Sequence, residues 1–338
     1  MRLAWCRTVL CLAALAIGVL GAVPAGAGDA RGVEGVPAFG NVFLIIGENT
    51  TYSQLNKNSA PYMTGTLQAH SAWLTNYFAI THYSESNYVG MTSGQYTECQ
   101  QLDGSPASCH QNIANLFSQL DGVRVPWQVW SESMPAPCYM LKTGGDATLN
   151  VYAPKHNPVL FFDNVEGAAG VWGSANNQGT GPECLANDIA TGTTGPNDMS
   201  GFNYALTTGN VSRFNFIVPN ECEDAHNNCA PPGNPITKFD NFVAREVPLI
   251  EASPAFTSNS VIIVTFDEAQ TSSPIRAADI GNGGNVAFAV VSPMAHNALY
   301  DTAGYNHYSL LRTLEDGFGI GPHLAGAATV AAISNIWN

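Results

Sequence analysis

Charge is what this sequence has least of. Only 11% of its 338 residues are Asp, Glu, Lys or Arg, against roughly 25% in an ordinary soluble domain. Basic residues are the scarcer kind, with 12 Lys+Arg facing 26 Asp+Glu for a formal net charge of -14. Nucleic acid is therefore excluded as a partner, because a phosphate backbone needs clustered Lys and Arg. Glycine and proline do not reach low-complexity levels: 33 Gly and 20 Pro make about 16% of the chain, below the roughly 25–30% that signals such segments. No Cys-x-x-Cys pair occurs to suggest a zinc cluster. What is present is apolar material, 45% of residues, enough for a large core and too much for disorder.

The N-terminus reads as a leader. Arg2 and Arg7 precede an apolar run from about Val9 to Val23, and Ala25-Gly26-Ala27 offers a small-residue cleavage site. The run is short for a membrane span of about 20 residues. No twin-Arg pair occurs, and no cysteine follows the run to accept a lipid. A secretory signal over 1–27 is expected, with a mature chain over 28–338 forming one domain, outside the cytosol and with no stable membrane insertion. Removing Arg2 and Arg7 takes the formal charge to -16. Cys6 and Cys11 leave with the leader, so Cys99, Cys109, Cys138, Cys184, Cys222 and Cys229 remain. An even number in an oxidising compartment predicts disulfides, with 15 pairings open for six cysteines. Close spacing favours Cys99–Cys109 and Cys222–Cys229, leaving Cys138–Cys184.

Four short β-branched runs read as buried strands: 41–46, 214–218, 260–266 and 286–291. Near-continuous apolar runs suit strands covered on both faces, as in a parallel sheet. Helical patterns fall at roughly 60–73, 85–93, 111–120, 236–251 and 306–317. The alternation predicts an α/β three-layer sandwich with a mostly parallel central sheet. A Gly/Asn/Thr-rich stretch from about Asp163 to Asn203 reads as a long insertion, and 269–284 as another loop.

Ligands bind beyond the carboxyl ends of strands in such sheets, and the residues found there are chemical ones. The first strand ends in Glu48-Asn49, the second in Asn220 with Asp224 and His226 following, the third in Asp267-Glu268. Any one of these acids alone would be a solvated loop residue or a helix cap. Together they describe a hard-cation site, since Asp, Glu and Asn oxygens suit Mg, Ca or Mn, and His adds affinity for Zn or Fe. Ser84 precedes a predicted helix, where the dipole and open N–H groups favour an anion, with Asn87 one turn on. That arrangement suits a metal-activated hydroxyl nucleophile. It suits an ordinary N-capping serine equally well.

Six motifs in register carry a resemblance: Glu48-Asn49; His82-x-Ser84-x-x-Asn87-Tyr88; Lys155-His156-Asn157-Pro158; Pro219-Asn220 with Asp224-x-His226; Thr265-Phe266-Asp267-Glu268; and His307 through Glu315. The set resembles the bacterial phosphoesterase family, which joins secreted acid phosphatases and phospholipases C within the alkaline-phosphatase-like superfamily. At this length it is most similar to mycobacterial secreted acid phosphatases. The family usually has Pro where this chain has Ser86, which leaves the local turn less rigid.

The resemblance implies an alkaline-phosphatase-like fold and roles at matching positions. Glu48, Asn49, Asp267 and Glu268 would hold a divalent metal, with Ser84 bound to it as nucleophile. Asn87, His156 and His226 would contact phosphoryl oxygens, and Asp224 would orient His226 or join a second metal site. His307 would face the site or cap its helix, while His70, His110, His296 and His323 are expected on surfaces. The expected activity is hydrolysis of phosphate monoesters, small molecules or lipid headgroups, by a monomer. A phospholipase C acting on diesters would use the same residues. A secreted calcium-binding module without activity is the non-enzymatic reading.

Overall fold

The computed structural model describes Met1 and residues 32–96, 103, 105–143, 151–167, 177–192, 198–270 and 282–338. The predicted leader, Cys99 and most of the 269–284 loop lie outside the described residues.

Among the described residues, nine strands form one sheet: β1 (Val42–Gly47), β2 (Ala72–Phe78), β3 (Trp127–Ser131), β4 (Asp188–Ala190), β5 (Phe214–Val218), β6 (Val261–Phe266), β7 (Asn285–Val291), β8 (Leu299–Asp301) and β9 (Tyr305–Asn306). Their order is β4-β3-β5-β1-β6-β7-β2-β8, with β9 also on β2. Every residue of β1, β5 and β6 is buried, which is why these stretches read as unbroken apolar runs. Longer helices are α1 (Ser84–Ser93), α2 (Leu116–Gly122), α3 (Ser200–Thr208), α4 (Pro235–Glu251) and α5 (His307–Phe318). α1 packs with α2 and α5, while α3 packs with α4, so the helices form two groups around the sheet of an α/β sandwich.

Three expectations need correction. The 286–291 run is β7, which pairs antiparallel with both β6 and β2. A doubly covered strand shows the same continuous apolar pattern in either direction, so the pattern could not tell them apart. The helix expected over 60–73 is a single wide turn, Tyr62–Leu67, followed by β2. Its rim-side half mixes Thr75 and Asn76 with apolar residues and is partly exposed, so it lacks the β-branched run of the central strands. The insertion from Asp163 contributes β4 to the sheet edge, where it pairs with β3, and α3 begins within it.

The antiparallel β7 has a useful consequence. Because β2 is antiparallel to β7 and β7 to β6, β2 runs the same way as β1, β3, β5 and β6. The chain after β2, which leads into α1, thus leaves at the same rim as the acids after β1, β5 and β6. Disulfides Cys222–Cys229, expected from close spacing, and Cys138–Cys184, the pair that this pairing leaves, are both formed. No helix of the described residues is long and apolar enough to cross a membrane.

Candidate active site

Backbone hydrogen bonds stitch the three acidic strand ends together. Glu48 N–H donates to the Asp224 carbonyl at 2.6 Å, and Thr50 N–H to the Glu268 carbonyl at 2.9 Å. Between them, Asn49 N–H donates to Asp267 Oδ1 at 3.0 Å. Asn49 has φ 43°, a left-handed conformation that Asn tolerates better than most residues. The sharp bend lets Glu48 turn inward while Asn49 stays partly exposed.

Ser84 arrives from the other side. The loop after β2 is held by Asn87, whose Oδ1 accepts from Ile80 and Thr81 N–H at 3.2 Å each and whose Nδ2 donates to the carbonyls of Thr81 and Tyr83. Gly90 allows this loop to close on the helix, since a Cβ there would lie 2.2 Å from Ile80 Cδ1. Tyr83, at φ 80°, makes the final turn and offers no side-chain cap to α1. Ser84 Oγ then donates to Glu48 Oε2 at 2.8 Å. One turn on, Tyr88 Oη donates to Glu48 Oε1 at 2.7 Å. Glu48 is thereby fixed by two hydroxyls from one helix face.

His156 sits between two acids, with Nε2 3.4 Å from Glu48 Oε1 and Nδ1 3.4 Å from Asp224 Oδ2. Its ring stacks on Tyr88 at 5.5 Å. His226 lies beside it, ring centroids 6.3 Å apart. Asp224 Oδ1 accepts from the His226 backbone N–H at 2.8 Å, and His226 Nδ1 is 2.7 Å from Asn227 Oδ1. Glu268, whose charge also acts on Asp267, pairs with His82, whose Nδ1 lies 2.5 Å from its Oε2.

Electrostatically the site is unfinished. Burial pushes the carboxyls of Glu48, Asp224 and Asp267 well above the usual carboxylate range, and their mutual repulsion pushes them further. Lys155 is the cation whose field opposes this at Glu48 and Asp224, and it is already paired with Asp103. Burial also drives His156 well below the ordinary histidine range. Among the described residues, Asp224 Oδ2, Asp267 Oδ2 and His156 Nε2 are buried atoms without a hydrogen-bond partner. Such atoms are costly unless something polar meets them. No three His, Cys, Asp or Glu among the described residues converge closely enough to hold an ion by themselves. The donor chemistry still fits a hard cation, provided that hydroxyl, carboxamide and water oxygens complete the shell.

The residues expected from sequence therefore meet at one rim, with Glu268 paired to His82. His307, which the motif left between two roles, opens α5 but turns inward. Tyr77 Oη is 2.9 Å from its Nδ1 and the Asp267 carbonyl 2.5 Å from its Nε2, so it props the strand end that carries Asp267. His110 and His323 pair with Asp163 and Asp316 away from the site. Tyr88 and Lys155 carry no role that the sequence motifs alone assign, although both stand inside those motifs. The spacing of Tyr88, four residues after Ser84, was the available signal.

A buried carboxylate rim thus stands beside a helix-start serine at one end of the sheet. The chain matches the Phosphoesterase family over residues 40–321 and belongs to it. It is 29% identical over 295 residues to "Probable acid phosphatase" of Kluyveromyces lactis, covering 86% of this chain and 61% of that protein. It is 25% identical over 305 residues to "Phosphatidylinositol-3-phosphatase" of Mycobacterium tuberculosis, covering 89% and 84%. The chain spans about three fifths of the length of its fungal relatives. Among solved structures, an alkaline phosphatase superfamily protein from Vibrio parahaemolyticus matches with TM-score 0.55 at 10% identity, covering 89% of this chain and 72% of that one. A phosphonate monoester hydrolase from Silicibacter pomeroyi matches with TM-score 0.52 at 12% identity, covering 87% and 76%. These two likenesses show the alkaline-phosphatase-like fold.

Proposed function

We propose that the chain is a secreted, metal-dependent phosphomonoesterase of acid phosphatase type, in which Ser84 is the nucleophile. Residues 28–338 would form its catalytic domain behind a cleaved 1–27 leader. The observation that carries this reading is the Ser84 hydroxyl, at the start of α1, hydrogen-bonded to Glu48 among three buried acids with too little positive charge around them. The names of the relatives and the two disulfides support it.

Glu48, Asn49, Ser84, Asp267 and Glu268 would hold a divalent ion. Such an ion lowers a hydroxyl's pKa and neutralises charge on phosphoryl oxygens. The chain's own residues do the rest. Glu48 Oε2 receives the Ser84 proton, being 2.8 Å from Oγ, and Oγ attacks phosphorus to give a phosphoseryl enzyme. The N-terminal amides of α1 face the charge that builds there. His226, with Nδ1 engaged by Asn227, presents Nε2 to protonate the departing alkoxide and later to take a proton from the attacking water. His156 lies between Glu48 and Asp224 at 3.4 Å from each, and its Nε2, which has no hydrogen-bond partner among the described residues, would meet a phosphoryl oxygen. Asn87 holds the 80–84 loop, and a phosphoryl contact from its Nδ2 would replace one of the two carbonyl bonds.

The test is turnover of p-nitrophenyl phosphate and of bis(p-nitrophenyl) phosphate, each with and without EDTA. Monoester hydrolysis that chelation abolishes and added divalent metal restores is expected. Preferential diester cleavage would transfer the site to phospholipase-type chemistry. Neither activity with any metal or pH would favour a binding module.

A further inference from the structure

We infer that Glu221, acting through Asn227, is a positioning residue that sets a hydrogen on Nδ1 of His226 and so reserves Nε2 for the reacting oxygen. This rests on the phosphomonoesterase reading, in which His226 exchanges a proton with the leaving group. It adds the residues that decide which ring nitrogen does so.

Four side chains from two segments line up beside the site. Lys142 Nζ lies 2.9 Å from Glu221 Oε1 and 2.7 Å from Glu221 Oε2. Asn227 Nδ2 donates to Glu221 Oε2 at 2.9 Å, and Asn227 Oδ1 is 2.7 Å from His226 Nδ1. The backbone ties the same residues, since Asn227 N–H donates to the Glu221 carbonyl and Glu221 N–H to the Val151 carbonyl, each at 2.9 Å. Only 2% of the Glu221 side chain is exposed, against 49% of Lys142. The row thus runs from solvent, through a buried carboxylate, to the His226 ring.

The chemistry of these groups leaves one arrangement of hydrogens. A carboxylate only accepts hydrogen bonds, and both Glu221 oxygens face donors. The edge of Asn227 that meets Glu221 must therefore be its NH2, and the edge that meets His226 its carbonyl oxygen. A carbonyl oxygen in turn requires a donor, so Nδ1 carries hydrogen in the neutral ring as well as in the cation. Nε2 is then the nitrogen whose proton comes and goes. Its N–H bond breaks as the proton passes to the leaving alkoxide, and the lone pair left behind later takes a proton from the water that attacks the phosphoseryl group. Turned the other way, the amide would set its oxygen against the Glu221 carboxylate and its NH2 against Nδ1. The hydrogen of the neutral ring would then move to Nε2, and the site would lose its base.

The experiment compares kcat/KM for glycerol 2-phosphate, whose alkoxide needs a proton to leave, with that for p-nitrophenyl phosphate, whose phenolate does not. This constant covers the steps up to departure of the leaving group, so breakdown of the phosphoseryl enzyme does not enter. In Asn227→Leu the ratio of the two values should fall about tenfold or more, part of the roughly 10²–10⁴ that a placed acid contributes. Asn227→Asp should lower the ratio too, by setting two carboxylates face to face. Adding Glu221→Gln to it should restore the ratio, because the introduced amide then donates to the introduced carboxylate. Nitrogen NMR of isotope-labelled histidine in alkaline buffer, with the His226 signals assigned by their loss in His226→Gln, should show hydrogen on Nδ1 in the wild type and on Nε2 in Asn227→Leu. Equal loss on both esters without rescue by the paired change, or hydrogen on Nε2 in the wild type, would overturn the inference. No phosphate release from either ester by the wild type, with hydrogen still on Nδ1, would sink the phosphatase reading and leave the assignment of the ring standing.

Discussion

Two groups of buried acids sit a few residues apart, and the molecule treats them differently. Glu223 and Glu246 are both served by Arg245, at 2.9 and 2.7 Å. Its guanidinium also lies over the Phe242 ring, 5.1 Å from the centroid. Among the described residues, Glu48, Asp224 and Asp267 have no such partner of their own and share the influence of Lys155 with Asp103. Asp188 represents a third solution: Asn157 Nδ2 reaches both its oxygens at 2.9 Å, and burial pushes it up to about 7. An acid with its own cation is part of the scaffold. An acid clustered with others and left short of positive charge is where the proposed cation would sit.

The most damaging change to this contrast is Ser84→Ala. Turnover should fall by roughly 10³ or more, since water as attacking group loses both position and activation. Acid trapping with labelled substrate should place phosphate on Ser84 in wild type, and phosphate on a histidine would defeat the mechanism. Ser86→Ala, on the same helix, should keep most of the activity. Asp267→Asn comes next. It keeps shape but removes charge at the unfinished group, so activity should drop by about two orders of magnitude through lost metal. Elemental analysis of the folded variant should find less metal than in wild type, and equal occupancy would remove Asp267 from the ligand set.

Arg245→Met attacks the finished group. Leaving Glu223 and Glu246 buried without their cation should cost about 3–5 kcal/mol, read from urea unfolding, while bound metal per folded molecule stays constant. If metal content fell with Arg245, the two groups would be one network. Asp188→Asn is the mildest. The folded carboxyl holds its proton more tightly than an unfolded one, about 7 against 3.8. Its contribution is therefore complete below pH 4 and disappears as pH rises through 7. The asparagine variant should flatten the wild-type decline over that window by an amount on the order of 1–4 kcal/mol. A parallel pH–stability curve would show Asp188 already ionised.

Much of the contrast could be read from the sequence, and the reasons differ by element. Strands β1, β5 and β6 announced themselves because burial on both faces leaves a run of Val, Ile and Phe, and their ends gave Glu48, Asp224 and Asp267. The direction of β7 was hidden, since side-chain pattern records burial but not polarity of the chain. Strand β2 was hidden by Thr75 and Asn76, which bond to loops near β8. Arg245 was passed over because its partners are 22 residues away and next door in sequence, and only the fold sets Glu223 and Glu246 around it. Asn87 was read as a ligand to substrate, and the loop it supports was invisible until β2 had been placed.

The Cys222–Cys229 bridge closes a loop of sequence separation seven that contains both Asp224 and His226. A cross-link over so short a span removes about 2–3 kcal/mol of disorder from the unfolded chain. Its local effect is on the timing of order. With its two ends tied, this segment has little freedom left to lose when a substrate enters, so less of the binding free energy goes into arranging His226. A thiol reductant should then raise KM before it lowers the melting temperature, because the loop would loosen while the sheet beneath it stayed intact.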